Sequence, residues 1–216
     1  MNVLITGSTG MVGNELLKLC IDSEQVRNIT VLNRKSLSIE NSKVTCIAIT
    51  DFDTYDDRSD IFENVDAAFF CIGVYTGQVS DDLFKKITVD YAVSFAQKIH
   101  SMSPKARVCL LSGAGADRTE KSSTAFARYK GIAENAISNL GIEFYAFRPG
   151  YIYPVEKRNE PNMLYSLMRY MYPVIRMFGS NSSIKSTELA QSMLQVGLEG
   201  HSDEILENRD IIRLVN

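Results

Sequence analysis

The chain has 216 residues, a length that can enclose one sizeable α/β core without dividing into two. With 45% hydrophobic and 23% charged residues it reads as a soluble globular protein, not a disordered or fibrous one. A formal net charge of −3 lacks the basic excess that phosphate backbones demand, so no nucleic-acid partner is expected.

Short β-rich apolar runs alternate with longer stretches of helical periodicity, which is the pattern of a parallel sheet covered by helices. In chain order the strands are expected at Val3–Thr6, Ile29–Leu32, Val44–Ala48, Ala67–Cys71, Val108–Leu111 and Glu143–Phe147, with a last one at Ile211–Val215. Helices are expected at Met11–Ile21, Asp81–Ser101, Thr124–Leu140, Pro161–Phe178 and Thr187–Leu198. Ser80 before Asp81 and Asp82 offers an N-cap with an acidic first turn, and Gly141 suits a helix C-terminus. The acidic, polar segment from Asp51 to Asp60 reads as a surface crossover with at most a short helix. No repeat, low-complexity tract or linker divides the chain. One domain is expected over residues 1–216, with a small substrate-side region from about residue 150 onward.

The chain opens directly on a strand-like run, with no basic stretch leading into a long apolar one, which predicts no signal peptide. Its strongest apolar runs, Ala67–Tyr75 and Val108–Leu111, fall far short of the ~20 residues of a membrane span. A cytoplasmic protein is expected. Cys20, Cys46, Cys71 and Cys109 are widely spaced in apolar segments and form no CxxC pair. They read as small core residues of a reducing compartment. With only His100 and His201 besides, no metal site is expected.

The first strand runs straight into Gly7-Ser8-Thr9-Gly10-Met11-Val12-Gly13, and a helix follows at once. In this position a glycine-rich motif points to a dinucleotide: Gly7 for the tight turn, Gly10 for close approach of the pyrophosphate, Gly13 for helix packing. The helix N-terminus supplies backbone N–H groups and positive dipole to the anion. An acid at the end of the second strand would take the ribose 2′-OH of NAD. Here that strand ends in Asn33-Arg34-Lys35. A guanidinium matches a 2′-phosphate, so NADP(H) is expected in preference to NAD(H).

In this order the motifs resemble the atypical short-chain dehydrogenase/reductase superfamily, and especially its compact Tat-interacting-protein-like, epimerase-like branch. The resemblance covers nearly the whole chain. It implies a three-layer Rossmann fold, a doubly wound parallel sheet with helices on both faces. It further implies that Asp51 and Phe52 meet the adenine, and that Cys71-Ile72-Gly73 lie near the cofactor. Ser112 follows the fifth strand, and Arg148-Pro149-Gly150 with Tyr151 and Ile152 stands at the nicotinamide end. Gly7, Asp51, Gly73, Ser112 and Pro149 all follow candidate strands and so share one sheet edge.

Carbonyl reductases of the family use Tyr-x-x-x-Lys on the helix after the serine. Lys130 fits the lysine, but the residue four earlier is Phe126, which has no proton to give. Tyr129 projects about 100° away around the helix. Three readings of Ser112 and Lys130 stay open. In one they are catalytic, with another acid drawn from Tyr75, Tyr91, Tyr151 or Tyr153. In the second they grip the cofactor of a non-catalytic NADP(H) sensor, as in the family's nitrogen-metabolite regulators, which acts through a protein partner. In the third Ser112 is a cap and Lys130 a surface residue. The expected activity leans to an NADP-dependent oxidoreductase of a small carbonyl substrate, in a monomer or homodimer. The Met- and aromatic-rich stretch from Asn162 to Phe178 is a candidate substrate roof, protein interface or core-packed helix.

Overall fold

The computed structural model describes residues 1–35, 37–75, 77–156 and 182–215. In chain order they form β1 (Asn2–Thr6), α1 (Met11–Asp22), β2 (Asn28–Asn33), β3 (Val44–Ala48), a 3₁₀ segment (Asp56–Phe62) and β4 (Ala67–Phe70). Next come α2 (Asp81–Lys85), a π-type turn (Lys86–Asp90), α3 (Tyr91–Met102), β5 (Arg107–Leu111), α4 (Ala125–Ser138), β6 (Glu143–Arg148) and β7 (Tyr151–Tyr153). Beyond residue 181 follow β8 (Ser183–Lys185), α5 (Ser186–Glu199), β9 (Ile205–Glu207) and α6 (Asn208–Arg213).

Seven strands form one sheet in the order β3-β2-β1-β4-β5-β6-β9, every pair parallel, and β7 and β8 make a separate parallel pair. This is the doubly wound order, with its reversal between β1 and β4. Successive strand residues point to opposite faces, so each strand feeds both layers. Val3, Ile5, Ile29, Val31, Phe69 and Phe147 pack with Leu16, Leu17 and Cys20 of α1 and Leu189, Met193 and Val196 of α5. Leu4, Leu32, Ala68, Phe70, Leu110 and Ala146 pack on the other face with Phe62, Phe95, Ile99 and Ile137. The three-layer expectation holds.

The last strand differs from expectation. It is Ile205–Glu207, whose Leu206 is fully buried, and the apolar run expected to be a strand at Ile211–Val215 lies largely in α6. A reciprocal cap between Glu207 and Asp210 starts that helix, and the local capping outweighs the β-like run of Ile211 and Ile212. The helix expected over Asp81–Ser101 is one helical stretch interrupted by its π-type turn. Ser80 caps it as expected, accepting from the Leu83 amide, and Gly141 takes the left-handed φ of +74° after α4. The pairing of β7 with β8 had no sequence signal, because each strand is only three residues long. The helix expected at Pro161–Phe178 lies outside the described residues.

Candidate functional site

The C-terminal edge of β1, β4, β5 and β6 opens on a cavity of about 730 Å³. Gly7 has φ +73°, and a Cβ there would come within 2.7 Å of the Cys71 carbonyl, while one on Gly13 would come within 2.3 Å of the Gly7 oxygen. Only glycine lets the first turn lie so close to the end of β4, and α1 so close to that turn. Helix α1 begins at Gly10 with no side-chain cap and no acid in its first turn. Its first amide groups therefore carry no side-chain cap and could take an outside anion. Gly10, Met11 and Val12 line the cavity, and Thr9 lines a smaller one that adjoins them at Gly10 and Met11.

The cavity wall continues through Cys71, Ile72, Gly73, Ser112, Lys130, Pro149, Gly150, Tyr151 and Ile152. These expected residues thus meet at one place. The loops beyond β5 and β6 are laced together, since the Ser112 amide donates to the Phe147 carbonyl at 2.8 Å and the Ala114 amide to the Pro149 carbonyl at 2.9 Å. The Gly150 amide donates to Asn208 Oδ1 at 2.8 Å. Asn208 is fully buried and was not singled out by sequence.

Other expected contacts take different places. Ser8 and Asn33 are both buried and bond each other at 3.0–3.2 Å, so Asn33 props the glycine turn from behind. Arg34 and Lys35 are exposed beyond it, outside the cavity. Asp51 is exposed and faces Lys86 at 3.9 Å. Phe52 corrects the expectation of an adenine contact for its side chain: the ring is buried against Tyr55 and Tyr91 in the core. The aromatic ring after β3 thus joins the face of the sheet that holds Phe62 and Phe95.

Phe126, four residues before Lys130, lies in the cavity wall, and its ring lies on Gly113. Tyr129 is turned away, as the helical angle demands; its hydroxyl donates to Asp81 at 2.6 Å and its ring packs on Phe84. Of the other tyrosines, Tyr75 and Tyr151 line the cavity, whereas Tyr91 stacks on Phe52 and lies beneath the Lys86 ammonium. Lys130 is buried, which overturns its reading as a surface residue. Its ammonium donates to the Leu111 carbonyl at 2.8 Å. Burial lowers its pKa to about 8, against an opposing pull from Glu134 and Cys71. Cys71 is buried as well, and burial lifts its thiol to about 12, out of reach of nucleophilic work near neutrality.

Ser112 donates to Glu134 at 2.5 Å. Glu134 is fully buried and also receives Arg148 Nη2 at 2.5 Å, Arg148 Nε at 3.0 Å and Arg118 Nε at 3.0 Å. Sequence reasoning missed this carboxylate. It lies four residues after Lys130, one helical turn along the same face, and that spacing was the available signal.

No protein-family model matches the chain. It is 24% identical over 218 residues to protein HTATIP2 of Rattus norvegicus, covering 99% of this chain and 88% of that one. The mitochondrial protein FMP52 of Candida albicans is 27% identical over 157 residues, covering 69% of this chain and 66% of that one. Among solved structures, MoeE5 in complex with UDP-glucose and NAD superposes with a TM-score of 0.71 at 12% identity, over 99% of this chain and 80% of that one. Among the described residues no helix is long and apolar enough to cross a membrane. The chain thus has a Rossmann-like α/β fold with a doubly wound sheet, shared with NAD-bound solved structures, and its similarity to HTATIP2 along nearly its whole length supports its resemblance to the atypical short-chain dehydrogenase/reductase superfamily.

Proposed function

We propose that the chain binds NADP(H) along this sheet edge and is an oxidoreductase of a small carbonyl or alcohol substrate. The carrying observation is the glycine cradle, where Gly7 and Gly13 bring an uncapped helix N-terminus to the mouth of a cavity walled by β4, β5 and β6. Gly7 through Val12 would hold the pyrophosphate, with Ser8 and Asn33 fixing the turn. Arg34 and Lys35 would meet the 2′-phosphate, and Asp51 the adenosine end. Cys71, Ile72, Gly73, Pro149, Gly150, Tyr151 and Ile152 would surround the nicotinamide end, with Ser112 and Lys130 beside the reacting carbon. When bound, the dinucleotide supplies the hydride chemistry. The residues of this chain supply position, exclusion of water and a buried cation, Lys130.

Titration with NADPH and NADH tests this directly. NADPH is expected to bind tighter, and Arg34→Asp to remove the preference; equal affinities unchanged by that substitution would remove Arg34 from the site. A cytoplasmic location also belongs to this proposal, and imaging against the mitochondrial location carried in the name of FMP52 would decide it.

One observation favours a second reading. Phe126 takes the proton donor's place and Tyr129 is committed to Asp81, which suits an NADP(H) sensor that acts through a protein partner without turnover. Such a protein would bind the oxidised and reduced cofactors unequally and consume neither.

A further inference from the structure

The Glu134 carboxylate is fully buried and accepts from two guanidinium groups, with Arg148 forming a two-pronged pair. Burial pushes its pKa up, but the bonds from Arg148 and Ser112, the Arg148 charge and the bond from Arg118 together outweigh that and hold it below the usual carboxylate range. An ionised carboxylate has no hydrogen to donate. The hydrogen shared at 2.5 Å therefore belongs to Ser112. A hydroxyl has only one, so the Ser112 oxygen meets the cavity with lone pairs alone.

We propose that Glu134 is a positioning residue that makes Ser112 a hydrogen-bond acceptor, so that the nicotinamide end selects a ligand group bearing its own O–H or N–H. A ketone oxygen offers Ser112 nothing. An alcohol gives its hydrogen to Ser112 while its oxygen accepts from a cation such as Lys130, which is anchored one residue away on the Leu111 carbonyl. A carboxamide gives an N–H in the same way. For its ligand the proposal rests on the dinucleotide reading above; for the Glu134–Ser112 pairing it does not.

The pairing is tested without ligand by carbon-13 NMR titration of the Glu134 carboxyl. Ser112→Ala removes a bond that favours the charged form, so the midpoint is expected to rise, and Ser112→Thr to restore it. An unmoved midpoint overturns the pairing. Two binding arms then separate the donors. In the first, NADP⁺ is compared with its 3-acetylpyridine analogue, which lacks the amide N–H. In the second, cyclohexanol is compared with cyclohexanone in the presence of NADP⁺. In at least one arm the wild type is expected to prefer the donor-bearing ligand by roughly two- to tenfold, as one neutral hydrogen bond allows, and Ser112→Ala to lose that preference. A preference lost only in the first arm assigns Ser112 to the cofactor, and one lost only in the second assigns it to the substrate. Wild type and Ser112→Ala behaving alike in both arms would overturn the proposal. Absence of any dinucleotide binding would instead remove the function proposed above, and the carboxyl titration would still decide the pairing.

Discussion

Phe126 meets Gly113 tip-first: a Cβ on Gly113 would lie 2.5 Å from the ring's ζ carbon but 3.2 and 3.5 Å from its two ε carbons. The position where tyrosine would carry its hydroxyl is thus the one pressed on the backbone after Ser112. Phenylalanine at 126 and glycine at 113 form a matched pair, and the wall they make is apolar.

Phe126→Tyr is expected to raise NADPH-dependent reduction of aldehydes and ketones. The added hydroxyl extends the ring axis onto Gly113, so the ring has to swing aside; swung toward the cavity, it offers a positioned acid worth ~10²–10⁴-fold in rate. The same crowding should lower the melting temperature slightly. Steady-state kinetics on a broad carbonyl panel measures the first effect. A variant that binds NADPH as well as wild type yet gains no activity would favour the sensor.

Two glycines of the site separate packing from binding. A Cβ on Gly13 would sit 2.3 Å from the Gly7 oxygen, whereas one on Gly73 would meet nothing within 4 Å. Gly13→Ala is expected to destabilise the fold by about 1–3 kcal/mol or more, as overpacking does. Gly73→Ala should leave stability within about 0.5 kcal/mol, because no neighbour has to move. Urea unfolding of the two variants side by side checks this, and equal losses would contradict the close approach of α1 to the first turn.

How much of this was legible beforehand follows from the range over which each signal acts. The first six strands and the glycine turn carry local signals, β-branched runs and a motif of fixed spacing, and they lie within a residue or so of where those signals put them. Ser112, Lys130 and the Pro149 loop were placed by order along the chain, and the sheet topology then brings them together. Phe52 misled because an aromatic after a strand serves a core as readily as a ligand; it packs on Tyr55, three residues on, and on Tyr91 of the distant α3. The spacing of Glu134 from Lys130 puts the two on one helix face, but its charge partners are set only when Arg148 from β6 and Arg118 from the loop before α4 converge on it. Long-range pairing of charges leaves no trace in periodicity.

Lys130 should leave a mark on stability above neutral pH. Its pKa falls from 10.5 to about 8 in the folded chain, so between those values the unfolded chain binds more protons and stability rises with pH. The buried thiols Cys20, Cys71 and Cys109 act in the opposite sense, because burial raises their pKa values. The lysine is therefore read from a difference. Relative to wild type, Lys130→Met is expected to be most favourable at and below pH 8 and to lose ground steadily toward pH 10.5. A difference that stays flat across that interval would mean that Lys130 is solvated.

Glu134 should govern the acid side. Its folded pKa lies below its ordinary value of 4.5, so its contribution is complete above that value and is lost as pH falls through the folded one. Glu134→Ala leaves Arg148, only 12% exposed in its side chain, with Glu207 as its remaining carboxylate partner. Breaking such a buried pair costs about 3–5 kcal/mol, more than removal of an exposed pair, whose median worth is about 0–1 kcal/mol. Urea unfolding at pH 7 is therefore expected to show a large loss for Glu134→Ala and a small one for Lys86→Ala, which removes its exposed pairs with Asp51 and Asp53 and its place over the Tyr91 ring. As pH falls below 4.5 wild type should lose stability faster than Glu134→Ala, since only wild type has this carboxylate to protonate. Parallel pH profiles would show that the Arg118 and Arg148 cluster is held by something other than the charge on Glu134.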